Sequence, residues 1–248
     1  MAPSRLSIVA PYRDRAEHLA RFLAHISLYF ARDKIDKDIP YRVTVVEQEA
    51  GKPFNAGLLR NIGFLLTEAE AEQVCFHDID CLPIWADYRP VERPTRLIWH
   101  GAEKVPLGPG SKKFIFHKHD EFFGAVVMFP CADFRRVNGY SNDYWGWGSE
   151  DRDLRMRCLA EGLKIGSRDG TYDRLTHVNQ GHTPDGKANA QQLKNRALCA
   201  QRIELIRTRA AHREDGLTSA RFEQLEQGPI SDRSGKPYPN VERVLVRV

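Results

Sequence analysis

Several features that would mark a specialised environment are missing from this chain. None of its 248 residues fall in a run of about 18 apolar positions, the length needed for a membrane-spanning helix. Met1 to Ala10 lack the unbroken apolar core of a signal peptide. Cysteine is sparse: Cys75, Cys81, Cys131, Cys158 and Cys199 are odd in number and form no CxxC pair, which argues against a zinc cluster or a disulfide framework and for reduced thiols. Charge of one sign is scarce too, since 37 Lys and Arg against 33 Asp and Glu leave only +4, so no general affinity for nucleic acid is expected. The expectation is a soluble, cytoplasmic protein in which any basic function is local. The composition that remains, 42% hydrophobic and 28% charged, suits one large globular domain.

Apolar spacing gives the order of elements. Leu6–Ala10 reads as a buried strand stopped by Pro11, and Leu19, Phe22, Leu23, Ile26 and Phe30 fall on one helical face. Tyr41–Val46 is a β-branched strand, Asn55–Ala71 a helix, and Val74–Ile79 a third strand. Strands alternating with helices at this spacing predict an α/β fold whose sheet is mostly parallel, with ligands outside the carboxyl ends of its strands. Further on, Gly101–Lys113 reads as exposed loop and Phe122–Phe129 as a fourth strand. Glu150–Glu161 reads as a helix opened by acids, 178–194 as a mobile loop, Gln192–Arg209 as a helix and Val241–Val248 as a strand.

Four constellations carry chemistry. His77-Asp78-Ile79-Asp80 ends a hydrophobic strand with two carboxylates, hard oxygen ligands suited to Mn²⁺ or Mg²⁺ and, through the metal, to a diphosphate. The alternative is capping or solvated charge. Trp145-Gly-Trp147-Gly-Ser-Glu150-Asp151 sets two tryptophans, whose flat faces suit a sugar ring, beside carboxylates at a helix start. The alternative there is a core corner with a helix cap. Arg13 and Arg15 follow the first strand and have the fork geometry for a diphosphate, or else form a solvated turn. His177, with Asn179 and His182, offers imidazole to a borderline metal, or is structural.

Together with FNAGLLRNIGF (54–64), FHDIDCLP (76–83), FFGAVV (122–127), NGYSNDYWGWGSED (138–151) and GLTSARF (216–222), these motifs resemble the β-1,4-galactosyltransferase family in order and spacing. The resemblance implies a GT-A fold, Rossmann-like with helices flanking the sheet, in a single catalytic domain over residues 1–248. About 1–83 would be its nucleotide-sugar half and about 84–248 its acceptor and catalytic half. It implies inverting transfer of galactose from UDP-galactose to a hydroxyl of an acceptor sugar, with Mn²⁺ or Mg²⁺. In that scheme Asp151 is the general base and Glu150 its acceptor-binding neighbour. Asp80 and His177 are metal ligands, joined by His182 if a small insertion is allowed. Pro11, Tyr12, Arg13, Arg15, Phe54, Asp78, Ile79, Phe122 and Trp147 contact the donor, and Trp147, Gly148, Glu150 and Asp151 the acceptor. The partners implied are a UDP-sugar and a glycan or glycolipid, the latter met by peripheral association with a membrane.

The chain also departs from the family. Ala56 stands where the family has an arginine, which leaves Arg60 to supply the phosphate contact, and Arg174 or Asn179 falls where a further metal ligand is expected. Phe122 replaces a tyrosine that separates galactose from N-acetylgalactosamine. A transferase of UDP-N-acetylgalactosamine or another UDP-hexose, of the capsule- or chondroitin-synthase type, is therefore the alternative within the class. A sugar- or nucleotide-binding module without catalysis is the alternative outside it.

Overall fold

The computed structural model describes residues 6–32, 38–98, 100–108, 111–118, 122–175 and 188–248, with the backbone alone for 100–108 and 111–118. The first half is built as its periodicity requires. Strand β1 (Leu6–Tyr12) is buried along its whole length, as a strand covered on both faces must be. Helix α1 (Ala16–Arg32) buries Leu19, Phe22, Leu23, Ile26 and Phe30, and Tyr29 with them. Strand β2 (Tyr41–Gln48) runs parallel to β1. Helix α2 (Ala56–Thr67) is capped by Asn55, whose side chain accepts from Leu58 N at 2.9 Å. It lies directly on the sheet, because a Cβ at Gly63 would overlap Val9. Strand β3 (Gln73–His77) pairs parallel with the other edge of β1.

The rest of the chain extends this sheet in both directions. Strand β4 (Cys81–Trp85) turns away from it, β5 (Thr95–Arg96) rejoins it, and β6 (His100–Gly108) pairs antiparallel with β7 (Ser111–Lys118). Strand β8 (Val126–Pro130) is antiparallel to β3 and leads into α3 (Cys131–Arg136), α4 (Glu150–Ala160) and β9 (Gly166–Ser167). Strand β10 (Thr171–Arg174) pairs antiparallel with β4, and α5 (Ala190–Arg207) and α6 (Ala211–Glu214) follow. The closing hairpin, β11 (Glu223–Ser231) and β12 (Pro237–Arg247), docks β12 parallel to β2. The sheet order is β11-β12-β2-β1-β3-β8-β5-β9, so strands from both sides of residue 83 share one sheet. No described helix is long and apolar enough to cross a membrane.

Three sequence expectations change, and one strand is new. Pro11 does not stop β1, which continues to Tyr12 paired with β2. Pairing to β3 ends at Val9, so the missing N–H of Pro11 falls where the strand has only one neighbour. Residues 101–108 and 111–113, expected as loop, form most of the β6–β7 ladder. Residues 190–194, expected as the end of a mobile loop, already belong to α5 because Asn189 caps it by accepting from Gln192 N at 2.9 Å. Strand β11, for which the sequence gives no apolar alternation, pairs with β12 and adds only Ile230 to the core.

Candidate active site

At the carboxyl ends of β1 and β3 the chain opens a cleft of about 330 Å³. Its walls come from Pro11, Arg13 and Arg15 after β1, from Phe54 and Ala56 at the start of α2, and from Asp78 and Asp80 after β3. Arg60, Gly146, Trp147, Glu150 and Arg174 complete it. Four separate sequence motifs therefore meet in one depression, at the place where an α/β sheet binds ligands.

Arg60 organises the floor. It is 3% exposed and sits under Tyr140, 5.1 Å from the ring centroid. One terminal nitrogen donates to Asp78 Oδ1 at 2.7 Å; the other lies 3.3 Å from Asp151 Oδ1 and 3.5 Å from Glu150 Oε1. Burial works against its charge, but Tyr140, Asp78, Asp151 and Glu150 hold it protonated beyond the ordinary arginine range. Its Nε is buried without a hydrogen-bond partner. Sequence reasoning gave Arg60 to a phosphate; in the structure it lines the cleft with both terminal nitrogens turned to carboxylates, because three acids converge on a single buried cation.

The acids respond to the same burial. It lifts Asp151 well above the usual carboxylate range, the neighbouring Glu150 charge lifts it further, and Arg60 pulls it back. Glu150 is raised by burial as well, with Arg60 opposing. A carboxylate with raised proton affinity, its side chain 27% exposed next to the cleft residue Glu150, is suited to taking a proton from a bound hydroxyl. Gly124 makes room for it, since a Cβ there would overlap the Asp151 carboxylate. Asp78 N donates to Ala125 O at 2.8 Å, so one backbone turn supports both acids. The third acid of the run, Asp153, is fully buried and turned away, bound by Arg157 at 2.6 Å, Tyr144 at 3.0 Å and Arg202 at 3.1 Å.

The Trp-Gly-Trp-Gly loop forms one rim. Gly146, Gly148 and Ser149 all adopt positive φ, which lets the chain turn sharply before α4. Gly146 N donates to Phe54 O at 2.6 Å, and Asn195 of α5 donates its side-chain amide to Trp145 O at 3.0 Å and Trp147 O at 3.3 Å. Trp147 is left 43% exposed beside the cleft, as a stacking surface must be. Asn195 and Gly124 are two residues that sequence reasoning missed. The only signal for Gly124 was an isolated glycine in a strand-like run, which marks a close backbone approach.

Not every expected donor contact reaches the cleft. Ile79, in the turn after β3, is fully buried and Tyr12, at the end of β1, is 7% exposed; both side chains lie in the hydrophobic core that α1 also joins. Phe122 packs half-buried against the same core. Gly148 lies one residue past Trp147 on the loop rim. His177 and His182 lie outside the described residues, as does most of the expected mobile loop. His77 is a structural histidine: its ring nitrogens meet Asp78 O at 3.0 Å and Tyr88 OH at 2.9 Å, and burial lowers its pKa to about 4.

For a divalent cation, Asp80 and Asp78 supply hard oxygen donors at the cleft wall, which fits the ligand chemistry of Mn²⁺. No group of three or more metal-ligating side chains gathers among the described residues, so these two carboxylates form a partial set.

Comparison with known proteins places these features in context. A family model described as the N-terminal region of glycosyl transferase group 7 matches residues 1–89, and one described as the N-terminal domain of galactosyltransferase matches 111–183. The human β-1,4-galactosyltransferase 4 is 31% identical over 235 residues, covering 92% of this chain and 62% of its own length. The chain thus spans less than two thirds of that relative. A β-N-acetyl-D-glucosaminide β-1,4-N-acetylglucosaminyl-transferase of Lymnaea stagnalis is 34% identical over 183 residues, 71% of this chain and 35% of its own. Among solved structures, the catalytic domain of Drosophila β-1,4-galactosyltransferase 7 in complex with xylobiose superposes with a TM-score of 0.71 at 23% identity, covering 98% of this chain and 94% of that one. A mutant of it in complex with manganese, UDP-Gal and xylobiose gives 0.70.

Proposed function

This chain belongs to the β-1,4-galactosyltransferase family and has its GT-A fold, and from that premise we propose that it transfers galactose from UDP-galactose to a hydroxyl of an acceptor sugar, with inversion. The observation that carries this is Arg60, which ties Asp78 of the DxD motif to Asp151 of the WGWGxED motif across one cleft. A group that faces the diphosphate and a group that faces the acceptor are thereby held in fixed relation.

The residues divide the work as follows. Pro11, Phe54 and the Arg13 and Arg15 guanidinium groups line the end of the cleft suited to a uridine diphosphate. Trp147 covers the sugar from the loop rim, and Glu150 and Asp151 face the opposite side. Asp151 accepts the proton of the attacking hydroxyl as the new bond forms in line with the breaking bond to the diphosphate. Burial and the Glu150 charge raise the proton affinity of Asp151, and the Arg60 guanidinium opposes them. Mn²⁺ held by Asp80, with His177 and His182 as further candidates, would offset negative charge on the departing UDP, which Asp78 contacts.

Two finer points belong to this proposal. The acceptor class is glycan or glycolipid, the latter reached by peripheral contact with a membrane, which co-sedimentation with liposomes would reveal. The setting is cytoplasmic, supported by five cysteines that are all free. Incubation with a panel of UDP-sugars and Mn²⁺ tests the donor. UDP-galactose should be consumed fastest in the presence of acceptor, and a clear preference for UDP-N-acetylgalactosamine would move the chain to the alternative that Phe122 raised.

A further inference from the structure

The charges around the cleft are unevenly committed. Four guanidinium groups line it, Arg13, Arg15, Arg60 and Arg174, against the three carboxylates Asp78, Asp80 and Glu150. Arg60 is spent on acids. Arg13 donates to Lys52 O at 2.6 Å, lies 3.6 Å from Asp14 and packs on Phe54. Arg174 is different. It ends β10 opposite Cys81, and the next residue donates its N–H to Asp80 O at 2.8 Å, so a strand register, not a loop, fixes it beside the DxD carboxylates. Burial disfavours its charge, while Cys81, Asp80 and Asp78 favour it.

We infer that Arg174 is a diphosphate-binding residue that shares charge neutralisation with the metal, so that this cleft retains UDP when no divalent cation is present. The inference rests on the transferase reading above. A guanidinium offers two parallel N–H donors to a phosphate, the strongest directional contact a side chain can make to it. The same position sets it against the metal, because a fixed cation beside Asp80 competes for the carboxylate that a divalent ion needs.

The test is calorimetric titration with UDP, in Mn²⁺ and in EDTA, of the wild type, Arg174→Gln and Arg174→Lys, each checked for a native thermal melt. The wild type should lose no more than about tenfold in affinity on removal of Mn²⁺. Arg174→Gln should lose about ten- to a hundredfold in EDTA, the worth of a charge-assisted pair, and less in Mn²⁺. Arg174→Lys, which keeps the charge without the fork, should fall between them and serves if the Gln variant does not fold. Titrated with Mn²⁺ alone, Arg174→Gln should bind the ion more tightly than the wild type. A wild type that binds UDP in Mn²⁺ but not in EDTA overturns the inference and leaves the transferase reading standing, as does a Gln or Lys variant equal to wild type in EDTA. A wild type that binds UDP under neither condition overturns both.

Discussion

The Asp151 carboxylate rests against Gly124, in space that a single methyl group would fill. The candidate base is thus positioned by the absence of a side chain on a neighbouring turn, whose next residue also accepts the Asp78 N–H. Gly124→Ala must push Asp151 off its place. Displacement of a reacting group by about 1 Å costs on the order of a hundredfold in rate. The expected result is a fall in kcat of that size with UDP affinity, which depends on the other end of the cleft, little changed.

The pH dependence follows from the raised proton affinity of the acids. Asp151 must be ionised to accept a proton, and burial first, then Glu150, raise the pH at which it ionises. The acid limb of kcat/KM should therefore lie above the ordinary carboxylate range. Glu150→Gln removes the repelling charge and should move that limb to lower pH even if the maximal rate drops, and an unmoved limb would separate it from Asp151. Because the two carboxyls interact, the limb belongs to the pair. The stability sign is opposite to that of a salt-bridged carboxylate. Groups raised by folding favour the fold below their unfolded pKa, and that contribution is lost as pH rises through the raised value.

Asn195 ties the tryptophan loop to α5 through two backbone carbonyls. Asn195→Ala gives up about 1 kcal/mol per hydrogen bond. The loop that presents Trp147 would lose this tie to α5 and keep the Gly146 N–H bond to Phe54 O. Donor KM should rise severalfold, while the thermal midpoint falls by only a few degrees.

Stability is concentrated elsewhere, in a buried network that has no access to the cleft. Arg157 and Asp153 are both fully buried, and Arg157 also binds Asp215 while Arg202 bridges the two acids. Arg157→Ala leaves the fully buried Asp153 with Arg202 as its remaining cationic partner and should cost about 3–5 kcal/mol in urea unfolding. Arg152→Ala, on the exposed side of the same helix, should cost almost nothing.

What the sequence made legible was the part governed by periodicity and by rare residue combinations. The three parallel strands and two helices of the first half follow from apolar spacing, and the DxD and WGWGxED runs converge as their chemistry suggests. What stayed hidden depends on tertiary partners. Strand β11 has no apolar pattern because it is mostly exposed and defined chiefly by pairing to β12. The pairing of Arg60 with Asp78 and Asp151, and the packing of the Tyr12 and Ile79 side chains in the core, depend on partners that spacing does not reveal. Gly124 and Asn195 act through neighbours that are distant in sequence, which is why the sequence marks Gly124 only as an isolated glycine and Asn195 not at all.

The most direct measurement is UDP-galactose turnover and UDP affinity for Asp151→Asn beside the wild type. The substitution keeps the shape of the side chain and removes its ability to take a proton. Turnover should fall by about two to four orders of magnitude, the usual worth of a general base, while UDP binding and the fold are retained. Undiminished turnover in a folded Asp151→Asn protein would contradict the assignment of Asp151 and the mechanism built on it.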